Sequence, residues 1–343
     1  MNRRTRRTLL VVAAVLVLLA VAVFLRSKAP PEAARLLPES DGILYVNLKP
    51  VRTFFRKDFQ KQLKPPERVP EYQQFVDATG IDWERDLDQA AIALHRMEDP
   101  KGPNGAVAYS MVLVGKLTGP RLNAWLEGHA TNRESYDGHV VYSIRSEDRT
   151  VRVTQIGYDM VAASNFPTPE KIHSMLDRHR TAALPFAGST LLSEHFHDVP
   201  LLSLAWGVGQ IGLPFNESGA ISILGFQLPI QADSTIVASV APELTHAGSL
   251  RVRVEEIAPS IDAAASQSAA LSSLITLAQG YTAPLGDKNA ANRGLKDLLK
   301  TAEVSQKNNR VTIRATVQGS LFAELAAGAN QADSSEAVPA PAN

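Results

Sequence analysis

Cysteine is absent from all 343 residues, so disulfides, thiolate nucleophiles and Cys-ligated zinc are excluded. A chain without such cross-links rests on buried apolar surface, and this length allows one large domain or two smaller ones. Catalytic signatures are missing too. There is no Gly-x-Ser-x-Gly elbow and no Ser-x-x-Lys, and Gly115-Lys116 lacks the upstream glycine of a phosphate loop. Lysine and arginine are missing for 70 residues between Arg180 and Arg251, where average usage would place about seven. Acids are missing from the amino-terminal segment 1–28. Six of the 35 basic residues and none of the 35 acidic ones lie there, which leaves the remainder at a net charge of −6. That balance lacks the clustered cations a phosphate backbone requires, which argues against nucleic acid. It also argues against a second, electrostatic grip on anionic lipid.

What the segment 1–28 does hold is an address. Arg3, Arg4, Arg6 and Arg7 precede an unbroken apolar run from Leu9 to Leu25. Seventeen residues at about 1.5 Å each lie at the short end of what crosses a hydrocarbon core of roughly 30 Å. Four arginines precede the run, and only Arg26 and Lys28 follow it closely, so the positive-inside bias puts the amino terminus in the cytosol. An uncleaved signal-anchor is favoured over a cleaved signal, because Pro30 directly follows the one acceptable triplet, Ser27-Lys28-Ala29. Thr5-Arg6-Arg7-Thr8-Leu9-Leu10 also has the look of a twin-arginine signal, but plain flanking charge accounts for it.

Beyond the anchor, residues 26–36 read as a proline-stiffened spacer. Ile43 to Leu48 reads as a strand, followed by a helix with Phe54, Phe55, Phe59 and Leu63 on one face. Pro70 opens a second helix ending at Gly80, Asp82 caps a short turn, and Gln89 to Leu94 and Met111 to Leu117 read as strands. Pro120 to Glu127 is helical. Strands follow at His139 to Ile144, Val151 to Ile156 and Asp159 to Ala163. A helix to Arg178 then turns Ile172, Met175 and Leu176 inward.

The second half repeats the scheme loosely. Leu201 to Trp206 matches Ile43 to Leu48 in place, each with an acid just before it, Asp198 and Asp41. Strands at Ser234 to Val240, Leu250 to Val254 and Val311 to Val317 alternate with helices at Ile261 to Ala278, Leu295 to Leu299 and Leu321 to Ala326. The expected architecture is α+β with mainly antiparallel sheets. A stub and transmembrane anchor (1–28) precede two loosely related halves (29–185 and 186–326) and a disordered tail (327–343).

Leu37-Pro38-Glu39-Ser40-Asp41-Gly42-Ile43-Leu44-Tyr45-Val46 resembles the opening of certain bacterial membrane-anchored proteins of unknown function. Thr79-Gly80-Ile81-Asp82 followed by Asp86-Leu87-Asp88 is similar to a later element of the same group. The resemblance implies an extracytoplasmic domain of unassigned activity and carries no catalytic residues.

Three constellations invite chemistry. Gly207-Val208-Gly209-Gln210-Ile211-Gly212 follows a strand as a dinucleotide loop should, with Asp233 at a tolerable distance. The helix that must follow is replaced by Leu213-Pro214-Phe215-Asn216, so no cofactor is expected. Glu194-His195-Phe196-His197-Asp198 is the densest group of potential ligands, suited to zinc or copper if extended, but a short helix would part the two histidines. A solvated loop without metal is the expectation. Glu255-Glu256 reads as surface charge at a strand end. The cation-free stretch, broken by seven glycines and prolines between Gly207 and Pro229, reads in part as a surface loop exposing Phe215 or Phe226 to a partner. No catalytic, cofactor or metal residue is assigned. The expected role is a non-enzymatic binding or scaffolding part of the cell envelope, held in the bilayer by residues 9–25. The alternative is an envelope hydrolase whose site is assembled from distant residues.

Overall fold

The structure, a computed structural model, describes residues 29–50, 70–101, 105–146, 148–181, 188–210, 221–223, 226–228, 234–243, 248–282 and 290–318. The apolar run 9–25, the helix expected around 54–63 and everything after 318 lie outside them. Among the described residues no helix is long and apolar enough to cross a membrane.

The chain is a mixed α/β fold built on one large antiparallel sheet. In order it forms α1 (Glu32–Arg35), β1 (Gly42–Asn47), α2 (Pro70–Thr79), α3 (Trp83–Asp86), β2 (Leu87–Arg96), β3 (Val107–Gly115), α4 (Pro120–His129), β4 (Ala130–Tyr136), β5 (His139–Ser146), β6 (Arg149–Ile156), β7 (Met160–Ser164) and α5 (Glu170–Arg180). Then come α6 (Thr190–His195), a 3₁₀ turn (Phe196–Asp198), β8 (Ala205–Gln210), β9 (Ile221–Ile223), β10 (Phe226–Leu228), β11 (Thr235–Pro242), β12 (Ser249–Ile257), α7 (Ile261–Thr282), α8 (Ala290–Thr301), β13 (Glu303–Lys307) and β14 (Arg310–Gln318).

Twelve strands form the main sheet, in the order β13-β14-β12-β11-β8-β1-β2-β3-β7-β6-β5-β4. Outward from the centre the order is β1-β2-β3-β7-β6-β5-β4 on one side and β8-β11-β12-β14-β13 on the other. The two sides join where β1 pairs antiparallel with β8, Gly42 opposite Gly209 and Tyr45 opposite Trp206. The β9–β10 hairpin has its own two-stranded pairing apart from this sheet.

Alternation along the strands gives the sheet two faces. One carries Ile43, Tyr45, Ala91, Ala93, Val112, Trp206, Val208 and Val237 into the largest core, with Leu176 and Met175 of α5 and Leu192 of α6 packed on it. The other is covered toward its two ends. Leu122 and Leu126 of α4 close one end with Ile81 and Val161, while Ala264 and Leu271 of α7 close the other over Val311.

Three expectations need correction. Residues 32–37 are not spacer, because Ala33, Ala34, Leu36 and Leu37 are all buried. The small side chains of Ala33 and Ala34 let α1 pack against β2 and β3. The strand expected at Leu201 to Trp206 lies later, at Ala205–Gln210, and Gly207 and Gly209 are strand residues rather than a break. A Cβ on Gly207 would sit 2.8 Å from Leu44 Cδ2, so glycine there makes room for the facing leucine. Glu255 and Glu256 are not surface charge but are 3% exposed each, and they point to opposite faces. Glu255 meets Arg310, and Glu256 accepts from Ser234 Oγ at 2.8 Å.

Candidate binding pocket

The residues that carry the resemblance act as structural clasps. Glu39 accepts from the Thr190 N–H at 3.0 Å and from the Arg178 guanidinium at 2.8 Å, tying α6 to α5. Asp41 accepts from the Arg96 N–H at 2.7 Å, fixing the start of β1 against β2. Asp82 caps α3 by accepting from the Glu84 N–H, and Asp86 accepts from the Asp82 N–H at 2.9 Å. These clasps hold β1 and α6 beside each other, and between them opens a cavity of about 490 Å³.

Its floor is aromatic. Tyr45 and Trp206, register partners across the central strand pair, stack with ring centroids 5.3 Å apart. Phe196 meets Trp206 edge-on at 5.5 Å. Ala29, Leu192 and Leu202 complete the apolar wall, and Asn47, Ser193, His197 and Ser203 supply polar atoms. The Tyr45 hydroxyl donates to Gln89 Oε1 at 2.9 Å, and burial pushes its pKa up to about 12, so it stays a neutral donor. An apolar, concave, aromatic-floored site with few polar groups suits a ligand held by stacking and burial.

The histidine cluster borders this pocket. His195 ends α6 and His197 sits in the 3₁₀ turn, with His197 Nε2 3.3 Å from Asp198 Oδ1 and His195 Nδ1 3.7 Å from Oδ2. The Asp198 side chain is only 8% exposed, and Arg310 donates to Oδ1 at 2.6 Å while also donating to Glu255 at 2.9 Å. These hydrogen bonds, to Asp198 first and Glu255 second, raise the Arg310 pKa. Arg310 therefore occupies one oxygen of the Asp198 carboxylate, Oδ1, while Oδ2 is buried without a hydrogen-bond partner among the described residues. Among the described residues no group of three or more His, Asp or Glu is arranged to hold a metal.

One Ser–His pair was invisible in the sequence. His95 Nε2 lies 2.9 Å from Ser110 Oγ, and Ser110 Oγ lies 3.0 Å from Ser164 Oγ. Burial, and next the Lys171 charge, lower the His95 pKa to about 4, which leaves it neutral at pH 7 and a weak base. All three are sealed, at 3%, 0% and 1% exposure, so no acyl substrate reaches the hydroxyl in this conformation. The trio bridges β2, β3 and β7 instead.

Phe215 lies outside the described residues. Phe226 opens β10, opposite Ile223. The pocket itself was missed because its members span Ala29 to Trp206.

No protein-family profile and no curated protein matches the chain. Among solved structures it is similar to TP0453. Crystal form III of that protein has 10% identity and a TM-score of 0.47, with 87% of this chain and 99% of that chain covered. Crystal form I has 10% identity and a TM-score of 0.41, with 87% and 97% covered. At that identity the likeness assigns neither activity nor ligand.

Proposed function

We propose that this chain is a single-pass, membrane-anchored binding protein of the cell envelope, with its amino terminus in the cytosol. Its α+β domain, in two loosely related halves, lies outside the cytosol, in the periplasm of a two-membrane host. Its work is non-enzymatic: the Tyr45–Phe196–Trp206 pocket takes an apolar or aromatic group from a small molecule or an envelope protein. Phe215 and Phe226 belong to the same proposal as a second contact, Phe226 opening β10 rather than lying in the loop expected from the sequence. The observation that carries it is the pocket's chemistry, aromatic below and sparsely polar at the rim, together with a Ser–His pair that is sealed away from it.

Binding is read with N-phenyl-1-naphthylamine, whose emission rises in an apolar site, added to the full chain in non-micellar amphipol. The expected result is saturable binding that Ser193→Phe, which sets a ring at the exposed rim, weakens about tenfold without lowering the melting temperature. Equal binding by both proteins would contradict the pocket as the site.

A further inference from the structure

We infer that the turn bearing Leu201 and Leu202, at one end of the sheet's strands, rests on the bilayer that holds the anchor, with Arg314 reaching anionic phospholipid headgroups. This inference rests on the anchoring proposed above.

Leu201 and Leu202 are consecutive, 50% and 72% exposed, in a turn closed by the Ser203 hydroxyl donating to the Pro200 carbonyl at 2.7 Å. Leu202 has a φ of +67°, a left-handed conformation that disfavours a branched apolar side chain. Two unfavourable choices at one tip, exposed apolar surface and strained backbone, are offset if the tip is buried against something apolar.

The length of chain outside the structure says what that is. Ala29, Pro30 and Pro31 line the same hollow as Leu201 and Leu202. The apolar run ends at Leu25, four residues before Ala29. Four extended residues span at most about 14 Å, so the tip cannot lie far from the membrane surface.

The charge on the other side of the tip fits that surface. Leu201 and Leu202 also border a second hollow, shared with Ser239, Ala241, Arg251, Arg253 and Arg314. Arg251 pairs with Glu243 and Arg253 with Glu255, while Arg314 is exposed, opposite Glu303 across the β13–β14 pair, and has no ion pair among the described residues. The net negative charge of the domain opposes a general attraction to anionic lipid, so the contact is local to Arg314, which lies directly opposite Arg253. An apolar tip flanked by guanidinium groups matches the boundary between acyl chains and phosphates.

The cysteine-free chain allows a clean test. Full-length Leu202→Cys, labelled with an NBD fluorophore, is reconstituted into vesicles of phosphatidylcholine and phosphatidylglycerol (3:1) carrying doxyl-labelled lipid. Lys307→Cys, at the opposite end of the strands, is the control. Quenching at position 202 is expected to exceed that at 307 several-fold, and to fall by about half in pure phosphatidylcholine or with Arg314→Gln. Leu201→Cys is a second reporter should a label at 202 disturb the turn. Equal, weak quenching at 201, 202 and 307 would overturn the inference. So would a blue-shifted but unquenched label at 202, which would mean a protein neighbour. Quenching that ignores both lipid charge and Arg314 would overturn the headgroup contact. Resistance to alkaline carbonate, measured on the same vesicles, reports the anchor separately. If the chain is stripped off, the anchoring reading fails, while quenching before extraction still decides the contact.

Discussion

His95 lies beneath Phe166, whose ring meets it edge-on at 5.5 Å, and burial holds its pKa near 4 against an ordinary 6.5. The unfolded chain therefore takes up a proton below about pH 6.5 that the folded chain refuses until about pH 4. Stability from this residue is complete above the upper value and declines as pH falls between the two. At about 1.4 kcal/mol per unit, the decline amounts to roughly 3 kcal/mol. Urea unfolding at pH 7 and pH 4.5 should show a loss in the native chain that is smaller, by an amount of this order, in His95→Gln. Equal losses in both would mean the imidazole is not held neutral. Glycine makes a second residue-scale prediction. A Cβ on Gly115 would lie 2.0 Å from the Asp86 carbonyl oxygen, at a φ of +157°. Gly115→Ala should cost about 2–4 kcal/mol. Gly128→Ala, within α4 and with nothing inside 4 Å, should be neutral or stabilise by up to about 1 kcal/mol in the same denaturation assay.

Elements with clear periodicity were legible in the sequence. Ile172, Met175 and Leu176 turn inward on α5, and Leu271 and Ala278 are buried on α7, as their spacing indicates. Asp82 caps α3 as its position suggests. Two elements were misread for identifiable reasons. Proline and charge made residues 26–36 look like spacer, yet alanines dock α1 on the sheet. Glycines made β8 look like a break, yet Gly207 clears space for Leu44 across the strand pair. The polar edge strands β4 and β13 lacked the apolar alternation that marks a strand. Leu36 is 1% exposed, so Leu36→Ala should cost about 2–5 kcal/mol in chemical denaturation, where a true spacer would lose almost nothing. The β9–β10 hairpin, hydrogen-bonded apart from the main sheet, makes the opposite prediction. Phe226→Glu should leave the melting temperature nearly unchanged and weaken partner capture in crosslinking, and unfolding of the domain would place Phe226 in the core.

At the scale of the whole molecule, the candidate pocket exists because β1 and β8, far apart in sequence, meet at the centre of one sheet. Tyr45 and Trp206 become neighbours only through that meeting. The continuity of twelve strands was not legible, since pairing between distant segments leaves no mark in local pattern. The same holds for the Arg310 clamp on Asp198 and Glu255, which joins three separate segments. The functional reading hangs on the orientation of this sheet relative to the membrane. Protease added to intact spheroplasts tests it most directly. The account predicts that the domain is digested while a protected fragment containing the stub and anchor, 1–28, survives. A domain that stays intact until the spheroplasts are lysed would contradict it.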